Sequence, residues 1–139
     1  MTLVTLVDTG PLVAMCDRTD SHHKWTVAAL GSITGALTTC EAVLTEVCFL
    51  LKRNYGRIDA IFDLLDQDLL CVDFDFASEH RRVQQLMNRY ADLPTSLADA
   101  CLVRMTELIP NSRVMTLDRD FTIYRRHGRQ AIPLLSPSF

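Results

Sequence analysis

The residues that decide the fold of this chain are Leu3-Val-Thr-Leu-Val-Asp-Thr-Gly-Pro-Leu-Val-Ala-Met15. Positions 3–7 form a short run of branched apolar residues, which is typical of a buried strand. The run stops at Asp8, and Gly10-Pro11 then turns the chain into a second apolar run that we predict to be a helix. Asp8 is therefore expected at the carboxyl end of a first strand, where open α/β sheets bind their ligands. The alternative interpretation is that Asp8 only caps the following helix.

The length and composition are those of a globular protein. The 139 residues, 48% hydrophobic and 22% charged, suit one domain over 1–139 with a core that needs no disulfides. No apolar run approaches a membrane span and the N-terminus carries no secretory signal pattern, so we expect a cytoplasmic protein. The net charge of −3 argues against simple DNA binding. Five cysteines without a Cys-x-x-Cys pair suggest a reducing compartment and disfavour a zinc site.

Strand-like and helix-like segments alternate along the whole chain. This alternation predicts an α/β fold with a mostly parallel sheet. A break at 54–56 is expected after the helix that carries Glu46, and Pro133 restricts the last strand to a sheet edge. After the first strand and helix, the predicted strands cover 35–39, 69–72, 113–117 and 131–135, and the predicted helices cover 25–30, 40–53, 57–67, 76–90 and 97–108.

Glu46 is the acidic residue that local structure explains least. On a helix its neighbours three and four residues away are all apolar, and a carboxylate in an apolar stripe is unfavourable unless it is paired, neutralised or bound to a cation. The alternative is that Glu46 lies at the stripe edge and reaches solvent. Glu41 has a simpler explanation, because its spacing from Thr38 is that of a capping box.

Two further acids occupy positions that resemble helix caps. Asp99 follows Ser96 with capping-box spacing, in a first turn where partial positive charge favours an anion. Asp118 ends an apolar strand before a short helix, which repeats the arrangement of Asp8, and Asp120 lies two residues later.

We predict that four of these acids, Asp8, Glu46, Asp99 and Asp118, converge on one pocket. Two of them end strands and two lie on helices that enter the same region. Clustered carboxylates repel each other unless a counter-charge is present, and a hard divalent cation would remove the conflict. A donor set of oxygen atoms without His or Cys suits Mg²⁺ or Mn²⁺. Such a cation can activate a water molecule and neutralise charge on a phosphate.

In these motifs the sequence resembles the PIN-domain ribonucleases, and among them the VapC-type toxins of bacterial toxin–antitoxin pairs. The matching segments occur in the family's order between residues 4 and 121, and they are Val-Asp8-Thr-Gly-Pro-Leu, Leu-Thr-Glu46-Val, Tyr-Ala-Asp92-Leu-Pro-Thr-Ser-Leu-Ala-Asp99-Ala and Leu-Asp118-Arg-Asp120-Phe. The resemblance implies a three-layer α/β/α sandwich and metal-dependent cleavage of RNA. It also implies a homodimer and an antitoxin that blocks the acidic cleft.

The resemblance also implies individual roles for the acids. The quartet would be Asp8, Glu46, Asp99 and Asp118, with the three aspartates as Mg²⁺ or Mn²⁺ ligands and Glu46 orienting or activating the attacking water. Supporting roles would fall to Thr9, Thr116 and Asp120, while Asp92 would hold the loop at Pro94.

A basic group near the C-terminus is a candidate RNA contact. It comprises Arg119, Arg125 and Arg126, with His127 and Arg129 nearby, and beside the acids it would bind phosphates. The alternative is a solvated helix end.

Other functions use similar acids. A receiver-type signalling domain also binds Mg²⁺ at strand ends, but it needs a lysine after a late strand, and this chain has only Lys24 and Lys52. A catalytically silent PIN-like binding module is a second alternative, which retention of all four acids disfavours. A phosphatase or a DNA flap nuclease stays open.

Overall fold

The first strand, β1 (Val4–Val7), is the middle strand of a five-stranded parallel sheet. In this computed structural model, which describes residues 2–54 and 57–139, the sheet order is β3-β2-β1-β4-β7. The predicted α/β fold with a parallel sheet is confirmed. The other four strands are β2 (Leu37–Thr39), β3 (Leu70–Val72), β4 (Ser112–Met115) and β7 (Leu134–Leu135).

Helices connect the strands and cover both faces of the sheet. Crossovers between parallel strands are right-handed. The helices that connect β1 to β2 and β2 to β3 therefore lie on one face of the sheet, and the helices that connect β3 back to β4 lie on the other face, which gives three layers. The helices are α1 (Thr9–Cys16), α2 (His23–Gly31), α3 (Glu41–Arg53), α4 (Asp59–Asp66), α5 (Phe76–Arg89) and α6 (Leu97–Leu108). Within the described residues, no helix is long and apolar enough to cross a membrane.

Local structure differs from the sequence prediction at two places. The helix α3 begins after Cys40 without a side-chain cap, because Thr38 lies inside β2, so the predicted Thr38–Glu41 capping box was wrong. The predicted break after α3 includes Tyr55 and Gly56, which lie outside the described residues. The last predicted strand, 131–135, is divided: Ala131 belongs to a short hairpin, and Leu134–Leu135 form β7.

That hairpin pairs β5 (Arg125–Arg126) with β6 (Gln130–Ala131) in antiparallel fashion. Its turn places His127 and Gly128 at φ values of 52° and 78°, and two consecutive positive φ angles are typical of the tight turns that join twisted strands. Pro133 is tolerated because β7 is an edge strand.

The strand order places a topological switch point between β1 and β4. Connections from β1 lead to β2 and β3 on one side, whereas β4 adds on the other side, with Val7 opposite Met115. Open α/β sheets bind ligands at the carboxyl edge of such a point. Because crossover helices run antiparallel to the strands, α3 and α6 begin at this same edge. The fold therefore directs Asp8, Asp118 and the first turns of these helices toward one region.

Candidate active site

An open cleft lies at the switch point and contains all four predicted acids. Its volume is about 410 Å³. Gly10 allows the start of α1 to approach the end of β4, since a Cβ at this position would lie 3.3 Å from the Leu117 side chain. The cleft is lined by Asp8, Thr9, Gly10, Glu46, Leu50, Pro94, Ser96, Asp99, Leu117 and Asp118.

Asp8 is the most enclosed of the four acids. It is 5% exposed, and its carboxylate accepts hydrogen bonds from the Thr9 backbone N–H to Oδ1 (2.7 Å) and from the Thr116 hydroxyl to Oδ2 (2.7 Å). Burial raises the pKa of Asp8 to about 7, although these two hydrogen bonds lower it, and the nearby carboxylates of Asp99 and Asp118 raise it further. Asp8 is thus both the N-cap of α1 and part of the cleft.

Glu46 is half-buried on α3 and has a polar partner in the cleft. The Thr9 hydroxyl donates a hydrogen bond of 2.8 Å to Glu46 Oε2. This hydrogen bond holds the Glu46 side chain toward the start of α1, at the cleft. Thr9 links the first strand's acid to the acid on α3.

Asp99 is 8% exposed and lies in the first turn of α6. It forms the predicted capping box with Ser96, in which the Asp99 N–H donates to the serine hydroxyl (3.1 Å) and the Ser96 N–H donates to Asp99 Oδ2 (3.3 Å). Burial raises its pKa, against the lowering effect of hydrogen bonds from Ser96 and Tyr124, and the charges of Asp118 and Glu46 add to the increase.

Asp118 caps the single 3₁₀ turn Arg119–Thr122 that follows β4. Its Oδ1 accepts the Asp120 N–H (2.9 Å), and its own N–H donates to the Thr116 hydroxyl oxygen (2.9 Å). Because Thr116 donates to Asp8 as well, this one fully buried hydroxyl connects the two acids at the ends of β1 and β4.

Among the described residues, no cationic side chain forms an ion pair with these acids. The ion pairs of Arg and His within residues 2–54 and 57–139 involve other carboxylates. Nor do three acidic, His or Cys side chains of the described chain converge into a preformed metal-ligand group. The four oxygen-donor side chains therefore surround an open space and do not meet at a common centre. The chemistry of this donor set fits a hard cation that keeps part of its water shell.

Asp120 and Asp92, which the sequence also singled out, do not line the cleft. The hydrogen bonds described for Asp120 are all made by its backbone N–H and carbonyl. Asp92 is exposed, and the loop before α6 is held by Thr95, whose hydroxyl contacts the Tyr90 carbonyl at 3.3 Å, and by backbone hydrogen bonds.

The structure separates the three arginines proposed as RNA contacts. Arg126 is only 6% exposed, and its guanidinium donates to the carbonyls of Thr106, Ile109 and Pro110 at the end of α6. Arg126 satisfies helix carbonyls in the interior of the protein. The prediction that this arginine contacts RNA at the surface was therefore wrong.

The other two arginines differ in exposure. Arg125 is half-buried and donates to three backbone carbonyls of the preceding turn, at residues 122–124. Arg119 is exposed and lies over the ring of Phe139, 5.7 Å from its centroid. Of the three, Arg119 alone combines an exposed side chain with a position next to a cleft acid, Asp118.

Sequence reasoning missed one residue of the site. Tyr124 is fully buried, and its hydroxyl donates a hydrogen bond of 3.1 Å to Asp99 Oδ2. Tyr124 follows Phe121 by three residues, and this spacing indicates only that both side chains share an apolar face. The sequence does not indicate which buried tyrosine faces an acid.

The comparisons with known proteins agree with this geometry. A family model described as the PIN domain matches residues 5–126. Among solved structures, the fold is similar to that of VapC20 from Mycobacterium tuberculosis, a toxin that cleaves the sarcin–ricin loop; the TM-score is 0.75 at 21% identity, over 86% of this chain and 93% of that chain. No curated protein matches the sequence. The extent of the family match, together with the fold and the acids at its switch point, shows that the chain belongs to the PIN-domain family.

Proposed function

We propose that this protein is an endoribonuclease that uses Mg²⁺ or Mn²⁺ to hydrolyse RNA phosphodiester bonds, and that it is the VapC-type toxin of a toxin–antitoxin pair. The observation that carries the proposal is the cleft in which Asp8, Glu46, Asp99 and Asp118 lie together without a cationic partner among the described residues. Burial raises the pKa of Asp8 and of Asp99, and carboxyl groups with a raised pKa in a cleft are typical of functional sites.

The cation would be held by the three aspartates. Mg²⁺ commonly keeps several waters and uses one or two protein carboxylates directly, so a set of separated aspartates around a wet cleft suits it. When bound, the cation would supply charge neutralisation at the scissile phosphate and lower the pKa of a water molecule. Hydrogen bonds from Thr9 and Thr116 to the acids would keep the carboxylates oriented.

Glu46 is the residue best placed to handle a proton. One of its oxygens, Oε2, accepts the Thr9 hydroxyl, which fixes the side chain toward the cleft. The other oxygen would orient the attacking water and take its proton as the new bond to phosphorus forms and the bond from phosphorus to the leaving sugar oxygen breaks. The leaving oxygen of the sugar would take a proton from solvent, because the cleft is open.

RNA as the substrate class, an antitoxin and a homodimer are part of this proposal, as is action in the cytoplasm. They are supported by PIN-domain membership and by the structural similarity to a toxin that cleaves RNA. The strand order argues against the receiver-type alternative, since receiver sheets follow the order 2-1-3-4-5, whereas here β1 lies between β2 and β4.

The test is RNA cleavage by four purified proteins: wild type, Asp99→Asn, Glu46→Gln and Glu41→Gln. Glu41→Gln is the matched control, because Glu41 is exposed on the same helix as Glu46, five residues away. The substrates are a panel of structured RNAs that includes transfer RNA and a sarcin–ricin loop hairpin, with Mn²⁺ or Mg²⁺ or with chelator.

We expect wild type and the control to cleave RNA only when the metal is present, and we expect the cleavage rate of the two cleft variants to be at least 100-fold lower. Equal cleavage by all four proteins would mean a contaminating nuclease and would remove the support for this site. Calorimetry with Mn²⁺ covers the case of an unsuitable RNA panel: if wild type binds no cation, the protein is a silent PIN-like module and the proposal is wrong.

A further inference from the structure

Tyr124 occupies a rigid position below the cleft. Its side chain is fully buried immediately before β5, and two aromatic rings pack against it edge-on. The ring centroid of Tyr90 lies 4.9 Å away and that of Phe121 lies 5.1 Å away. Edge-to-face contacts on two sides leave the ring little freedom, so the position of the Tyr124 hydroxyl is well defined.

That hydroxyl has two neighbours. Asp99 Oδ2 and the Thr95 hydroxyl oxygen each lie 3.1 Å from it. Thr95 has the Tyr90 carbonyl as an acceptor of its own. A tyrosine hydroxyl has a single hydrogen to donate, and a carboxylate is a stronger acceptor than a neutral hydroxyl. The hydrogen of Tyr124 is therefore directed to Asp99.

The same oxygen of Asp99 also accepts the Ser96 N–H at 3.3 Å. Two donors thus converge on Oδ2, one from the helix start and one from the buried ring. None of the hydrogen bonds given by the described residues ends on Oδ1. The two oxygens of this carboxylate consequently have different tasks, with Oδ2 bound to the protein and Oδ1 left for the cleft.

We infer that Tyr124 is a positioning residue, which holds the Asp99 carboxylate so that Oδ1 is presented to a divalent cation. This inference rests on the proposed function. Tyr124 itself does not line the cleft, so it acts only through Asp99. Partners that orient a metal ligand in this way typically contribute 10- to 100-fold to metal affinity.

The test compares Tyr124→Phe with Tyr90→Phe. Both substitutions remove one hydroxyl from the same aromatic pair, but the Tyr90 hydroxyl accepts the Arg125 N–H at 2.8 Å and touches no acid of the cleft. Any loss caused by deleting a hydroxyl here should therefore appear in both variants. Mn²⁺ binding is measured by calorimetry, and cleavage is measured as a function of Mn²⁺ concentration.

We expect Tyr124→Phe to bind Mn²⁺ about 10-fold more weakly and Tyr90→Phe to bind it like wild type. Excess Mn²⁺ should restore the cleavage rate of Tyr124→Phe, which it would not do for a general loss of structure. If Tyr124→Phe binds Mn²⁺ as tightly as wild type, or if both variants lose the same Mn²⁺ affinity, the role of Tyr124 is refuted while the proposed metal site stands. Absence of Mn²⁺ binding in wild type would refute the proposed metal site, and this inference with it.

Discussion

Asp8→Asn is expected to make the metal-free protein more stable at pH 8. Asp8 is buried and its pKa is raised to about 7, against an ordinary value of 3.8. The folded protein therefore keeps a proton on Asp8 up to about pH 7, whereas the unfolded chain loses it near pH 4. Because the folded state binds more protons in this window, the free energy of unfolding decreases as the pH rises through it.

The size of the effect follows from the width of the window. Three pH units at about 1.4 kcal/mol each give an upper bound of about 4 kcal/mol of lost stability above pH 7. Asparagine carries no charge, and its oxygen can still accept the Thr9 N–H. Its amide must face the Thr116 hydroxyl, which now donates to Oδ2, and reversing this bond costs about 1 kcal/mol. The net gain at pH 8 is therefore at most about 3 kcal/mol.

Urea unfolding in chelator, repeated from pH 4 to pH 8, measures this difference. The advantage of Asp8→Asn should be largest above pH 7 and vanish at about pH 4.5, where the ionisation cost in wild type equals the cost of about 1 kcal/mol for the reversed hydrogen bond, so that wild type is the slightly more stable protein at pH 4. The control is Asp75→Asn, since Asp75 is also an N-cap, of α5, but is exposed and has its pKa lowered by hydrogen bonds from the Ser78 side chain and backbone. Loss of that charge should not stabilise the protein.

Two results would refute the reasoning. If Asp8→Asn melts below wild type at every pH in the absence of metal, Asp8 contributes chiefly as a charged helix cap. A stability gain that does not change with pH would mean that its cause is not the ionisation of Asp8. Added Mn²⁺ provides a further check, because it should stabilise wild type and not Asp8→Asn.

Three further outcomes are expected. Burial by itself would raise the pKa of Glu107, but hydrogen bonds from Arg82 and the His127 N–H lower it to about 2. Wild type should therefore lose stability as the pH falls from 4.5 toward 2. In urea unfolding, Glu107→Gln should be about 3 kcal/mol less stable than wild type at pH 7 and should lose less stability over that pH range. Arg126→Met should cost about 2 kcal/mol of stability, because it leaves carbonyls at the end of α6 without a donor, yet keep the salt dependence of RNA binding measured by filter retention. Arg119→Met should keep the stability and reduce the salt slope by about one.

The strands and helices were predictable because their signals are local. The apolar run before Asp8, the proline at the start of α1 and the spacing between Ser96 and Asp99 each fix a short segment, and the structure follows them. The exception at Thr38 has a tertiary cause: pairing with β3 keeps this residue in the strand, and the helix begins only after Cys40.

The contacts across the cleft were less predictable, because they join residues far apart in sequence. Thr9 and Thr116 were named as supports, but only the folded chain shows that Thr9 serves Glu46 while Thr116 bridges Asp8 and Asp118. The sequence of the basic segment near the C-terminus does not indicate that its arginines differ in burial. Arg126 is drawn inside by the unsatisfied carbonyls at the end of α6, which no sequence pattern reports.

The choice between a helix cap and a site residue, which the sequence presents for three of the four acids, is a false one. Asp8, Asp99 and Asp118 all accept a backbone N–H at the start of a helix or turn, and all three line the cleft. Such a hydrogen bond fixes the carboxylate relative to the backbone, and at least one oxygen of each carboxylate still has a lone pair for a further partner. Asparagine is as good an N-cap as aspartate at positions 8 and 118, and Ser96 remains the N-cap beside position 99, so substitution to asparagine removes the charge while keeping the helix start. Loss of cation binding in the three asparagine variants would therefore report on the site and not on the fold.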